Sequence, residues 1–141
     1  MRAQAAVEYL AIVAISLAIL VPLWIYVSSS NENVRQDLTV AYARQVVYKL
    51  KDAADVVFVQ GAPAQLSVDV SVPSGITYAS ASGREILLRV DSGGGTTDVY
   101  SVTLGNVTGA LASFATTPGS YFVLVKAQED ALGNVFVNIT A

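Results

Sequence analysis

The chain begins with a long apolar run. From Tyr9 to Val27 there are 19 consecutive residues without a charge. An α-helix rises about 1.5 Å per residue, so a helix of this length comes close to spanning the roughly 30 Å hydrocarbon core of a bilayer. The run therefore predicts a hydrophobic helix, which we place at residues 4–30. Pro22 lies inside it and predicts a kink, because proline removes one helical hydrogen bond and clashes with the preceding turn.

Helical periodicity continues beyond a polar stretch at Ser28–Asn33. Apolar residues recur after it at spacings of three and four, which is typical of one face of a helix. They are Val34, Leu38, Ala41, Tyr42, Val46, Leu50, Ala53, Ala54 and Val57. We expect residues 31–60 to form an amphipathic helix continuous with the first one. Two helices joined by a loop at Ser28–Asn33 are the alternative.

The apolar period changes to two after Gly61–Pro63, where glycine and proline are expected to stop the helix. Short alternating runs follow, separated by turn signals such as Pro73–Gly75, Ser82–Gly83 and Gly105–Asn106. The strand candidates are Leu66–Val72, Ile76–Ala81, Arg84–Val90, Asp98–Leu104, Gly109–Ala115, Tyr121–Gln128 and Asn134–Ile139. Residues 61–141 are thus predicted to form an all-β domain, an antiparallel β-sandwich-like globule, with a strongly curved sheet as the alternative, and the whole chain an α+β fold.

Composition narrows the classes of function. A net charge of −3 provides no basic surface to neutralise phosphates, which argues against a nucleic-acid partner. Charged residues make up only 13% of the chain, against about 25% in typical soluble domains. We therefore expect the chain to bury much of its surface in a membrane or against its own copies.

The residues of catalytic and metal sites are largely missing. The chain has no cysteine and no histidine, which excludes disulfides, thiolate metal sites and the usual general base. The acidic residues Asp91, Asp98, Glu129 and Asp130 do not have the spacing of a calcium loop. The Gly93–Gly95 run lacks the phosphate-loop pattern and predicts a flexible hairpin. We expect no enzymatic activity, no metal site and no cofactor.

Glu8 lies at the start of the apolar run, where a carboxylate is costly if it enters hydrocarbon. It is compatible with a headgroup position, or with the positive N-terminal end of its own helix. A second interpretation needs a partner charge. Cleavage between Ala3 and Gln4 would create an α-amine, with a pKa of roughly 7.7–8.0, four residues before Glu8. That amine would neutralise the Glu8 of a neighbouring copy.

The segment Arg2–Leu10 reads RAQAAVEYL. It resembles the class III signal peptide of archaeal type IV pilins, in which a short basic leader ends in a small residue. Gln, small residues, Glu and an aromatic then follow. The resemblance implies that residues 1–3 are a leader removed by a prepilin peptidase after Ala3, that the mature chain begins at Gln4, and that Glu8 acts in assembly.

The same resemblance implies a function and a set of partners. The chain would be the major structural subunit of an extracellular type IV pilus-like filament used for adhesion or surface attachment. Its partners would be copies of itself in a helical polymer, the membrane before assembly, the prepilin peptidase, and the pilus assembly platform with its ATPase. A monomeric membrane-anchored binding module, or a minor pilin or pseudopilin, is the alternative.

Two sequons for N-glycosylation lie in the β domain: Asn106-Val107-Thr108 and Asn138-Ile139-Thr140. Asn106 falls in a predicted turn and is the better candidate acceptor of the two. Filaments of the family that the N-terminus resembles are often glycosylated, so we expect Asn106 and Asn138 to be candidate sites.

Overall fold

A computed structural model describes the backbone of residues 2–91 and 95–141, and the side chains of these residues except 2, 3, 32 and 33. Its elements are α1 (Arg2–Gln60), β1 (Gln65–Val72), β2 (Ile76–Asp91), β3 (Thr96–Ala110), α2 (Ala112–Thr116), β4 (Gly119–Glu129) and β5 (Val135–Thr140). The chain divides into two compact units, Met1–Arg35 and Gln36–Ala141. The predicted α+β class with a long N-terminal helix is confirmed.

Helix α1 is continuous. Ser28–Asn33 is helical, so the prediction of one long helix is confirmed and the alternative of two helices with a loop is wrong. The helix also passes through Pro22 without a break, while the kink there stays a prediction. Gly61 ends the helix as expected: it has a φ of +72°, and its N–H donates to the carbonyl of Val57 at 3.1 Å.

The β-strands form one five-stranded sheet with the order β1-β4-β5-β3-β2. Three neighbouring pairs are antiparallel, but β3 and β5 run parallel. The predicted antiparallel, sandwich-like packing therefore needs correction in two respects: the sheet is mixed, and it is a single sheet. A second sheet is unnecessary because the C-terminal half of α1 supplies the other layer of the core.

The helical part of that core follows a regular spacing. The side chains that α1 buries are Ala43, Val46, Val47, Leu50, Ala53, Ala54 and Val57. Leu38 and Tyr42 were expected on this face, but they are 49% and 53% exposed. The buried stripe is rotated toward Ala43 and Val47, which are fully buried and which the predicted stripe did not include.

Two local predictions in the β domain are wrong. Gly105–Asn106 is not a turn but lies inside β3, and Gly105 is there because the ring of Phe58 occupies the space of a β-carbon. The predicted strand Gly109–Ala115 ends at Ala110 and gives way to α2. The helical turn lets both Leu111 and Phe114, three residues apart, reach the core.

Strand β2 combines two of the predicted strands. A straight strand of its length would be about 50 Å long. Instead, the N–H of Asp91 donates to the carbonyl of Gly75 at 2.7 Å, so the chain must bend back between them. Gly83, with a φ of +64°, lies midway, and the β2–β3 pairing shifts between Gly83 and Glu85. The turn signal at Ser82–Gly83 thus corresponds to a sharp bend inside β2.

Candidate assembly surface

Residues 4–30 of α1, the N-terminal segment, form a mostly apolar helical surface that no other described residue of the chain covers. Its large hydrophobic side chains range in exposure from 37% at Val13 to 75% at Trp24. They are Val7, Tyr9, Leu10, Ile12, Val13, Ile15, Leu17, Ile19, Leu20, Val21, Leu23, Trp24, Ile25, Tyr26 and Val27. By length and composition the helix is long enough and apolar enough to cross a membrane.

The energetic consequence of this exposure is large. Burying one such side chain stabilises a structure by about 1.5–3 kcal/mol. An uncovered surface of this size is typical of chains that place it in a bilayer or against another protein. The periodicity along the segment does not single out one apolar face, because apolar residues surround the helix.

Polar groups inside the N-terminal segment are few. The hydroxyl of Ser16 donates to the carbonyl of Ile12 at 2.8 Å, which satisfies it within its own helix. Pro22 has no N–H to donate, so the carbonyl four residues before it, at Ala18, lacks its usual helical partner. The N-terminal segment therefore stays apolar along most of its length. Its missing helical hydrogen bond, at the carbonyl of Ala18, lies near its middle.

Glu8 is the only charged residue between Gln4 and Asn31. Its side chain is exposed, and none of the described side chains forms an ion pair with it. Glu8 and Gln4 are four residues apart on one helix, so both lie on the same face about one turn apart. The backbone at Ala3 and Gln4 is helical, whereas Met1 and the side chains of Arg2 and Ala3 lie outside the described part of the chain.

The two sequon asparagines lie on adjacent strands of the sheet. Asn106 is on β3 and Asn138 on β5, and the register pairs Asn106 with Phe136 and Thr108 with Asn138. Asn106 is exposed and Asn138 is half-buried. The sequence identified both asparagines but not Phe136, because no local signal predicts which residue a parallel neighbour places opposite.

Two of the acidic side chains of the β domain, Asp98 and Asp130, have structural partners. Asp98 accepts hydrogen bonds from the Arg89 guanidinium at 2.6 and 2.8 Å, and this contact holds the pKa of Asp98 below its usual value. Asp130 accepts from the N–H groups of Leu132 and Asn134, and the bond from Asn134 is the main reason that its pKa is also lowered.

The described residues contain no cluster of three or more acidic side chains able to hold a metal ion. Gly93 and Gly94 of the predicted hairpin lie outside the described part of the chain. The paired residues Asp91 and Thr96 lie on either side of them in the chain. The described residues of the β domain therefore offer no metal site beside the apolar surface of the N-terminal segment.

The features on which an assignment depends are thus the apolar N-terminal segment, the charge at Glu8 and the exposed outer face of the sheet. No family model matches this chain, and no curated protein or solved structure matches it.

Proposed function

We propose that this chain is the major structural subunit of an extracellular, type IV pilus-like filament that assembles through its N-terminal helix. The role is structural, and the filament serves adhesion or surface attachment. The chain is inserted in the membrane before assembly. A prepilin peptidase removes residues 1–3, and an assembly platform with its ATPase extracts the subunit. The archaeal type of this system is the one that the segment Arg2–Leu10 resembles.

The observation that carries the proposal is the continuous helix whose residues 9–27 carry no charge and are exposed on all sides. Such a surface suits lipid and suits a bundle of identical helices equally well, since both surroundings are apolar. Moving from one to the other costs little free energy. One helix therefore meets the needs of a membrane-stored precursor and of a polymer.

Glu8 distinguishes a polymer from a simple anchor. A simple anchor tolerates a carboxylate at the edge of its apolar run but gives it no specific partner, and the charge adds a cost if it enters hydrocarbon. In a bundle of parallel helices, the α-amine created at Gln4 of one copy can neutralise the Glu8 of its neighbour. Because the two positions are separated by about 6 Å along a helix, that contact would fix the axial offset between neighbours.

One contact of this kind, repeated from copy to copy, is heterologous and does not close on itself, so it generates an open helical polymer. The apolar helices form the interior of that polymer, and the unit Gln36–Ala141 is left on its outside. Adhesion would depend on that outer unit.

The test is electron microscopy of material sheared from intact cells, combined with N-terminal analysis of the sheared subunit. We expect abundant filaments built from this chain, with Gln4 as the first residue. If shearing leaves the chain in the membrane fraction and yields no filaments, it is a membrane-anchored module instead. Filaments in which the chain is scarce would indicate a minor subunit. A subunit that keeps residues 1–3 would contradict the role of the Gln4 amine.

A further inference from the structure

Both sequons face the same side of the sheet, but they differ in access. A glycan would be attached to the side-chain amide nitrogen of asparagine, Nδ2. In Asn138 this nitrogen donates a hydrogen bond to Oε1 of Gln128 at 3.4 Å. Oδ1 of the same residue accepts from the hydroxyl of Thr140 at 3.5 Å. Asn138 is also half-buried. Its nitrogen is therefore engaged and partly covered.

Asn106 is in the opposite situation. It is exposed, and its side-chain amide makes no hydrogen bond with any residue in the described part of the chain. Val107 is buried, so the strand holds Asn106 and Thr108 together on the outer face. The acceptor nitrogen and the hydroxyl of its sequon thus share one accessible surface.

A depression of about 440 Å³ adjoins Asn106 on this face. Phe136, half-buried and directly opposite Asn106 on β5, forms part of its lining. Gly83 borders it from β2 and contributes no side chain, which leaves room. Ser82, Thr108 and Asp130 add hydroxyl and carboxylate groups to the lining. An aromatic surface combined with such polar groups suits a sugar, which has an apolar C–H face and a rim of hydroxyls.

We propose that Asn106, and not Asn138, carries an N-linked glycan whose first sugar lies in this depression against the ring of Phe136. The inference rests on the proposed function, because the modification requires that the β domain be translocated out of the cytoplasm. In the transfer, Nδ2 of Asn106 forms a bond to C1 of the sugar of a lipid-phosphate-linked donor. The C1–O bond to phosphate breaks, the phosphate leaves with its electron pair, and a proton of Nδ2 passes to a base of the transferring enzyme.

The first experiment measures site occupancy by mass spectrometry of peptides from the protein isolated from the cells that naturally produce it. We expect a glycan on Asn106 and an unmodified Asn138. Asn106→Gln and Thr108→Ala should each remove the glycan completely, whereas Asn138→Gln should leave the mass of the glycan unchanged. An unmodified Asn106, or equal occupancy of both sites, overturns the proposal. Filaments without the glycan would refute this inference alone, and a glycan without filaments would refute only the proposed function.

The second experiment tests the contact with Phe136. Thermal unfolding of the full chain in detergent is compared before and after enzymatic removal of the glycan. In the wild type, removal should lower the unfolding midpoint, since it uncovers the ring. Phe136→Leu should abolish this difference, and Phe136→Tyr, which keeps the ring, should preserve it. An equal difference in the wild type and in Phe136→Leu would show that the sugar does not lie on Phe136.

Discussion

Asp55 of α1 accepts a 2.8 Å hydrogen bond from the backbone N–H of Leu104, a residue 49 positions later in the chain. The pairing between β2 and β3 skips Thr103–Asn106, because its register shifts between Gly83 and Glu85. A side chain of the helix thus replaces a missing strand partner. From β2, the Arg84 guanidinium donates to the carbonyl of Thr103 at 3.3 Å, so a second side chain supplies a hydrogen-bond partner in the unpaired stretch of β3.

Asp55→Ala should destabilise the β domain by about 1 kcal/mol, since it removes the partner of the Leu104 N–H. Thermal unfolding of the full chain in detergent, followed by circular dichroism, measures the effect. Asp55 also pairs with Lys51 at 2.8 Å, so the loss of this ion pair must be separated from the loss of the hydrogen bond.

Two variants separate the two contacts. Asp55→Asn keeps an oxygen that can accept from Leu104 and loses the ion pair, and Lys51→Ala loses the ion pair together with the longer contact of Lys51 with Asp52 at 3.5 Å. Both should unfold close to the wild type, because the Lys51 side chain is still 32% exposed and ion pairs that solvent can screen contribute only about 0–1 kcal/mol. If Lys51→Ala is as destabilising as Asp55→Ala, the ion pair and not the backbone hydrogen bond is the important contact.

Gly105→Ala should destabilise the domain by about 1–3 kcal/mol, the usual cost of overpacking. A β-carbon at this position would collide with the ring of Phe58. The same thermal measurement tests it. In the double variant with Phe58→Ala, the alanine at 105 should cost much less, because the colliding ring is gone. Additive effects of the two substitutions would contradict the contact.

The Asp98–Arg89 pair should make stability depend on pH in the acid range. Hydrogen bonds from Arg89 lower the pKa of Asp98 in the folded state, so the pair stabilises the fold above the ordinary aspartate pKa of about 3.9. That contribution is lost as the pH falls through the lowered pKa. Asp98→Asn should therefore unfold at a slightly lower temperature than the wild type at pH 7, since the pair is exposed, and the difference should vanish in acid. Arg89→Gln should show the same pH dependence, and a difference that is constant with pH would exclude this origin.

Glu8→Ala should abolish filaments without changing the fold of the β domain, because it removes the proposed partner of the Gln4 amine. The measurements are electron microscopy of sheared material and circular dichroism of the chain extracted from membranes. Glu8→Asp, which keeps the charge on a shorter side chain, is the matched control and should restore some assembly. Normal filaments from Glu8→Ala would contradict the proposed mechanism.

Ala14→Lys should also prevent assembly, for a different reason. It places a charge in the middle of the apolar surface, where neither lipid nor a neighbouring helix offers a partner. Ala14→Leu at the same position is the control for size and should leave the chain membrane-inserted. If the lysine variant assembles normally, residue 14 does not lie in the interior of a helical bundle.

Much of the fold was predictable because its signals are local. The apolar run, the spacing of three and four along α1 and the glycine stop at Gly61 depend on neighbours in the chain, and all three predicted the observed helix. The alternation of polar and apolar residues likewise placed most of the strands. Local signals failed at Gly105, which resembles a turn residue but lies in a strand. It is a glycine because the ring of Phe58, distant in the chain, occupies the space of a β-carbon.

The sequence by itself determined the apolar N-terminal segment and its single charge, since both are properties of consecutive residues. It also determined the α+β class. Only the tertiary structure decided that β5 lies between β3 and β4, parallel to β3, and that Phe136 therefore faces Asn106. Strand order and register arise from contacts between residues far apart in the chain. Such contacts depend on how the sheet as a whole buries one face against the helix, and no short stretch of sequence encodes that arrangement.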